Sequence, residues 1–227
     1  MKKHVIITGT SRGIGLELVK NFYSKGYTVH ALSRNATPIK DLGLEHCYSY
    51  SCDLSEEASI KNTLSSIKER TSSVDILINN AGKFLNQNFL ETNLEDVKSV
   101  YNTNILGVFA ITSMCMNVFE DLKHVVNISS MGGIQGSVKF PGLAAYSSSK
   151  AALICFTELL AEEFKDDPIA FNCLALGAVQ TEMLEEAFPG FQAPVTAKEM
   201  ADYITDFSIH GHKYYNGKTL QVSNSTP

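Results

Sequence analysis

Tyr146 and Lys150 stand four residues apart in Tyr146-Ser147-Ser148-Ser149-Lys150, and the stretch that follows (Ala151, Leu153, Phe156, Leu160, Phe164) has helical spacing. On a helix the two side chains share one face. A phenol of ordinary pKa, about 10, exchanges protons poorly at neutral pH. A neighbouring ammonium favours the phenolate and draws that pKa toward the working range of a general acid or base. The pattern is also common by chance, and its plain alternative is an aromatic ring packed on a helix beside a solvated lysine. Asn104 is a second candidate, because it falls inside the apolar stripe Val97, Val100, Val108 and Ile111. A buried amide costs free energy unless it is hydrogen-bonded, so it serves either a site or an irregularity of its own helix.

Near the N-terminus, Thr8-Gly9-Thr10-Ser11-Arg12-Gly13-Ile14-Gly15 joins the apolar run His4 to Thr8 to an amphipathic stretch with Ile14, Leu18 and Phe22 on one stripe. Glycines there permit a tight turn, let backbone approach a pyrophosphate and let the helix pack closely on the strand; the helix N-terminus then offers free N–H groups to an anion. An ordinary structural turn is the alternative. After the second apolar run come Ser33 and Arg34, with no acidic residue in that turn to bind a ribose 2′-hydroxyl. Arg34 and Arg12 suit a planar, bidentate grip on a 2′-phosphate, unless both are solvated surface residues.

Positioning these residues requires a regular framework. Candidate strands are His4 to Thr8, Tyr27 to Leu32, Cys47 to Tyr50, Val74 to Asn79, His124 to Ser129, Ile169 to Leu174 and Lys218 to Val222. Several are rich in Val and Ile, as strands buried on both faces should be. Helical patterns separate them, with a cap expected at Ser55 ahead of Ile60, Leu64 and Ile67, and capping boxes at Thr92 to Glu95 and Thr196 to Glu199. Such alternation implies a parallel sheet with helices on both faces. With no repeat or linker, residues 1–227 read as one domain.

Composition narrows the function classes. The chain is 44% hydrophobic and 19% charged, enough to bury a core, and carries a net charge of −5 with no basic block, which argues against nucleic acid and anionic membrane as partners. No apolar run spans a bilayer and no leader pattern is present, so a cytoplasmic protein is expected. Cys47, Cys52, Cys115, Cys155 and Cys173 form no CxxC pair and read as reduced thiols. His210-Gly211-His212 lacks a third ligand, so no metal is expected.

The glycine loop, Tyr146-x3-Lys150 and Asn79-Asn80-Ala81-Gly82 together resemble the short-chain dehydrogenase/reductase family over nearly the whole chain. The resemblance implies a Rossmann-type, doubly wound α/β domain that binds NADP(H), with NAD(H) possible, and transfers hydride between the nicotinamide and a small-molecule carbonyl or alcohol. It implies Asn104, Ser130, Tyr146 and Lys150 as the catalytic set, Ser130 closing the run Asn127-Ile128-Ser129-Ser130, with Ser129 as runner-up. Ser130 would orient the substrate oxygen, Tyr146 pass the proton, Lys150 lower the tyrosine pKa and hold the nicotinamide ribose, and Asn104 hold a water in a proton relay. Gly9, Ser11, Arg12, Gly13, Ile14 and Gly15, then Ser33 and Arg34, then Asp53 and Leu54 beside adenine, then Asn80, Ala81 and Gly82, and finally Gly177, Val179 and Thr181 would line the cofactor, together with Asn104, Tyr146 and Lys150.

The chain departs from the family pattern at four places. Ser137-Val138-Lys139-Phe140 reads as a short insertion between serine and tyrosine, Leu176 replaces a common proline, and the flap after Thr181 (Met183, Leu184, Ala187, Phe188, Pro189, Phe191) is short. The tail Gln221-Val222-Ser223-Asn224-Ser225 stands where Asp-Gly-Gly is frequent. Two rival functions stay open: reduction of a 3-oxoacyl group on an acyl-carrier protein, with Lys139 as a hint of a basic docking patch, and a non-catalytic NADP(H)-binding redox sensor. A separate substrate domain, as in an extended epimerase, does not fit the length. A homodimer or homotetramer is expected through the helices bearing Asn104 and Tyr146, burying Met114, Met116, Phe119 and Leu159.

Overall fold

Short runs of Val, Ile and Leu bury both faces most fully in a parallel sheet. A computed structural model of the chain, which describes residues 2–223, pairs seven of them that way. The strands are β1 (His4–Thr8), β2 (Thr28–Ser33), β3 (Cys47–Ser51), β4 (Ile76–Asn79), β5 (His124–Ser130), β6 (Ala170–Leu176) and β9 (Lys218–Val222); β7 (Val179–Gln180) and β8 (Val195–Thr196) form a separate two-residue pair. The order across the sheet is β3-β2-β1-β4-β5-β6-β9. Direction of travel reverses between β1 and β4, and a doubly wound sheet opens its ligand crevice at the carboxyl ends beside such a switch. All seven expected strands are present, with ends shifted by one or two residues.

The helices between them are α1 (Gly13–Ser24), α2 (Thr37–Lys40), α3 (Glu57–Lys68), α4 (Leu94–Tyr101), α5 (Gly107–Val118), α6 (Ala144–Glu163), α7 (Glu182–Ala187) and α8 (Ala197–His210). Alternate residues of β1 feed two cores. Val5 and Ile7 pack with Leu18 and Phe22 of α1 and Ile204 and Phe207 of α8, while Ile6 packs with Leu64 and Ile67 of α3, Ile111 of α5 and Phe171 of β6. Cys52, Cys115 and Cys173 are buried, Cys47 is half-buried and Cys155 is exposed, all as free thiols. Among the described residues no helix is long and apolar enough to cross a membrane, and no cluster of three metal-ligating side chains occurs.

Several local expectations are corrected. The capping box of α4 is Asn93 with Asp96, one residue beyond Thr92 and Glu95; the box at Thr196 and Glu199 is as expected. Glu56 rather than Ser55 precedes α3, and Ser55 instead donates to the Asp53 carboxylate. Phe119, expected on an oligomer face, lies in the core, and Met114 and Met116 lean on that core. Leu159 is exposed as expected. Asn224 and Ser225 of the tail lie outside the described residues.

Candidate active site

The glycine loop turns sharply because Gly9 has φ +72°, and a Cβ there would lie 2.7 Å from the Ala81 backbone. Gly15 allows the closest approach: a Cβ on it would lie 2.0 Å from the Gly9 carbonyl oxygen. Asn80 ties this loop to β4, its Nδ2 donating to the carbonyls of Thr8 (3.0 Å) and Gly9 (3.1 Å) while Thr8 Oγ1 accepts from the Asn80 and Ala81 amides. The first turn of α1 carries no acidic residue and no side-chain cap, so its N–H groups face the cleft as an anion-binding end. The residues present therefore fit a dinucleotide.

One cleft of about 1280 Å³ runs along the carboxyl ends of the strands. Ser11, Arg12, Gly13 and Ile14 line it, with Ser33, Arg34, Asp53 and Leu54 at one end and Asn80, Ala81, Gly82, Gly177, Val179 and Thr181 further along. Some of these side chains have partners within the chain. Ser33 Oγ donates to the Asn35 carbonyl at 2.7 Å, and Thr181 Oγ1 caps α7 by accepting from the Leu184 amide at 3.2 Å. Burial pushes the Asp53 carboxyl up, but hydrogen bonds from Ser55 and the positive charges of Arg34 and Lys83 outweigh it, so its pKa lies below the usual value. Arg12 reaches across the cleft to grip the Glu186 carboxylate of α7.

Ser130, Tyr146 and Lys150 converge in the same cleft. Ser130 is the last residue of β5; its hydroxyl acts on Tyr146 in the direction of the phenolate, and it accepts from the Gly132 amide at 3.3 Å. Ser129 points the other way: it is buried and donates to the Lys150 carbonyl at 2.8 Å. Strand alternation therefore separates the two serines, and Ser130 is the one beside the phenol. Lys150 is buried, with Nζ donating to the Ile128 carbonyl at 2.8 Å and lying 5.8 Å from the Tyr146 ring centre. Burial lowers the ammonium pKa to about 8. Burial raises the Tyr146 pKa, against the pull of Ser130. The Lys150 ammonium, expected to draw that pKa down, is turned to the Ile128 carbonyl.

Asn104 sits where the two helical spans α4 and α5 are joined by a π-helical turn, Asn102–Leu106. Its amide clasps the Lys83 backbone, Oδ1 accepting from the N–H at 2.7 Å and Nδ2 donating to the carbonyl at 3.0 Å, and also donates to Ser149 Oγ at 2.9 Å. It lies in an irregularity of its own helix, fully buried beside Gly82 and Lys83 of the cleft lining. Lys150 Nζ and Asn104 Oδ1 converge on Gly82, where a Cβ would lie 3.4 Å and 3.6 Å from them.

Two side chains, Phe84 and Glu186, escaped the sequence reading, and Lys139, singled out there, takes a different part. Phe84 packs against Tyr146 at a tilt of 50° with ring centres 4.7 Å apart and meets Phe188 of the flap at 5.9 Å. Lys139 spends its ammonium on the Gly132 and Ile134 carbonyls (2.8 and 2.6 Å) and Ser137 Oγ (2.8 Å), pinning the loop that follows Ser130. Glu186 had no local signal at all, since its partner is 174 positions away.

Comparison with known proteins agrees with this geometry. The chain is 31% identical over 192 residues to the human 3-oxoacyl-[acyl-carrier-protein] reductase, covering 82% of this chain and 79% of that one. It superposes on 4-hydroxyisoleucine dehydrogenase complexed with NADH with a TM-score of 0.87 and 25% identity, covering 99% and 98% of the two chains. For ElxO with NADP bound the TM-score is 0.85 and the identity 29%, covering 98% and 97%. The short chain dehydrogenase family model matches residues 3–190. With that match over most of its length, and with the glycine loop and the tyrosine–lysine pair opening on one cleft, the chain belongs to the short chain dehydrogenase family.

Proposed function

We propose that the protein is an NADP(H)-dependent oxidoreductase that interconverts a neutral, apolar carbonyl compound and its alcohol. The observation that carries this is the placing of Ser130, Tyr146 and Lys150 at one end of the cleft whose other end is the glycine loop. The nicotinamide, when bound, supplies or accepts the hydride; the side chains do the rest. Ser130 orients and polarises the substrate oxygen, and the Tyr146 hydroxyl, in the same cleft as Ser130, delivers the proton in reduction and takes it in oxidation. Lys150 holds the ribose hydroxyls and its positive charge favours the phenolate, while Asn104 fixes the Lys83 backbone beside it and supports the proton path.

Ser33 and Arg34 support a preference for the 2′-phosphorylated cofactor, with Gly9, Ser11, Gly13, Gly15, Asp53, Leu54, Asn80, Gly177, Val179 and Thr181 as further lining. The substrate end is walled by Phe84, Met131, Phe140, Leu143, Met183 and Phe188, which favours an uncharged substrate with an apolar body. A second reading, reduction of a 3-oxoacyl group on a carrier protein, has the human relative in its favour, but Lys139, its one basic hint, is tied to the carbonyls of its own loop rather than free to reach a partner. A panel of neutral ketones, aldehydes and an acyl-carrier-bound 3-oxoacyl group, followed by NADPH absorbance, tests the reading. No oxidation of NADPH with any of them defeats it, and turnover restricted to the carrier-bound substrate selects the second reading.

Assembly is proposed to be a dimer or tetramer of closed symmetry through α5 and α6, where Leu106, Phe109 and Leu159 are exposed. A monomer by sedimentation at micromolar concentration removes that part.

A further inference from the structure

The flap helix α7 brings carboxylates to the mouth of the glycine loop. Glu186 takes both terminal nitrogens of Arg12, Nη2 to Oε2 at 3.0 Å and Nη1 to Oε1 as a second, shorter contact. Glu182 Oε2 stands 3.4 Å from where a Cβ on Gly13 would lie. Arg12 is the residue just before α1, and its guanidinium makes no cap there; it is turned to α7. One α7 carboxylate thus occupies the Arg12 guanidinium, and a second stands beside the start of α1.

We infer that α7 carries an internal competitor for the cofactor's phosphate, with Glu186 as the residue that sets discrimination between 2′-phosphorylated and 2′-hydroxyl dinucleotides. The inference rests on the reading of this cleft as a dinucleotide site. A fork-to-fork guanidinium–carboxylate pair uses the same two N–H directions that a bidentate phosphate would use, so the two anions exclude each other on Arg12. A cofactor bearing a 2′-phosphate gains Arg12 only by releasing Glu186, whereas one bearing a 2′-hydroxyl leaves the pair intact. Arg34 does not replace it freely, because part of its charge acts on the Asp53 carboxylate. Glu186 therefore works against NADPH and is indifferent to NADH, and this is discrimination by a repulsive element rather than by a missing contact. Both side chains are largely exposed, at 47% and 62%, so the effect is modest.

The test is a double-mutant cycle read by binding: titration of NADPH and of NADH, by nicotinamide fluorescence, into wild type, Glu186→Gln, Arg12→Gln and the double variant. Glu186→Gln should tighten NADPH by about threefold to fivefold and leave NADH within about twofold, the range of a good exposed ion pair. In the Arg12→Gln background the same change should have no effect on either cofactor. Unchanged or weaker NADPH binding by Glu186→Gln overturns the inference, as does equal tightening of both cofactors, which would mean general repulsion. If wild type binds both cofactors and the cycle shows no coupling, only this inference fails. If wild type binds neither, the functional reading fails and takes the inference with it. Melting curves of the variants, expected to match wild type for so exposed a side chain, confirm that folding is not the variable.

Discussion

Titratable groups are buried at both ends of the sheet. At the carboxyl ends, burial lowers the Lys150 ammonium to about 8 and raises the Tyr146 phenol, and both line an open cleft. Toward the amino ends, burial lowers His30 to about 3, helped by His4 and Arg70, and His124 to about 4. These histidines are closed in by partners of the chain itself. His4 Nδ1 meets His30 Nε2 at 3.1 Å, His30 Nδ1 meets Tyr50 Oη at 3.2 Å, and Arg70 lies 4.3 Å from the Tyr48 ring centre. His124 Nδ1 donates to the Ser208 carbonyl at 2.8 Å, and Asn172 Nδ2 meets its Nε2 at 3.0 Å. A displaced pKa is thus no sign of chemistry by itself. What separates the two ends is whether the group keeps a free side toward a cavity.

The largest expected effect lies at the open end. Tyr146→Phe removes only the hydroxyl that passes the proton, so turnover should fall by roughly 10²- to 10⁴-fold while NADPH still titrates in. A variant retaining most of the wild-type rate on the best substrate would break the assignment. The closed end should answer to acid instead. An unfolded histidine titrates near about 6.5, above the folded values of His30 and His124, so below that pH the unfolded chain binds more protons. Stability is therefore full above pH ~6.5 and falls by about 1.4 kcal/mol per pH unit for each histidine, roughly 4 kcal/mol for the pair by pH 5. Urea melts at pH 7.5 and 5 should show it, and equal midpoints would mean that the histidines are not buried neutral.

A third experiment contrasts the ends directly. Lys150 keeps a desolvated ammonium, with its folded pKa below that of free lysine, so burying it costs stability at pH 7. Lys150→Met should raise thermal stability, by on the order of 1 to 3 kcal/mol, while destroying activity. His30→Ala should lower it, by about 2 kcal/mol, because a cavity opens and Tyr50 loses a partner. Both variants moving the same way would erase the contrast. The smallest effect concerns the loop behind Ser130. Lys139→Met should raise KM by about threefold to tenfold with kcat nearly unchanged, one charged hydrogen bond's worth of positioning. A fall in kcat at constant KM would instead place Lys139 in the chemistry.

The framework and the main constellation were legible because their signals are local. Short runs alternating with amphipathic stretches marked the seven strands, and Tyr146-x3-Lys150 and Gly9-x3-Gly13-x-Gly15 each lie within a few neighbouring residues. The α4 cap was misread by one residue because Thr92-x-x-Glu95 and Asn93-x-x-Asp96 overlap, and only the fold selects which oxygen faces the free amides. Phe119 reads as an outer residue on a helical wheel, yet α5 ends at Val118 and the chain turns it inward. The amide of Asn104 in an apolar stripe hinted at an irregular helix, but residue type does not say that the irregularity is a π-helical turn. Arg12 with Glu186, and Phe84 with Phe188, are meetings of distant segments, which spacing does not encode.

The burial of the cysteines makes the protein a natural single-label reagent. Thiolate is the species that attacks a maleimide, and burial raises the pKa of Cys47, Cys52, Cys115 and Cys173 while hiding most of them. Cys155 alone is exposed, on the outer side of α6 beside Phe156, whose ring packs 5.5 Å from that of Phe109. A dye attached there without any engineering reports on the apolar α5–α6 surface, and its emission and quenching follow whatever covers that surface, far from the reacting atoms.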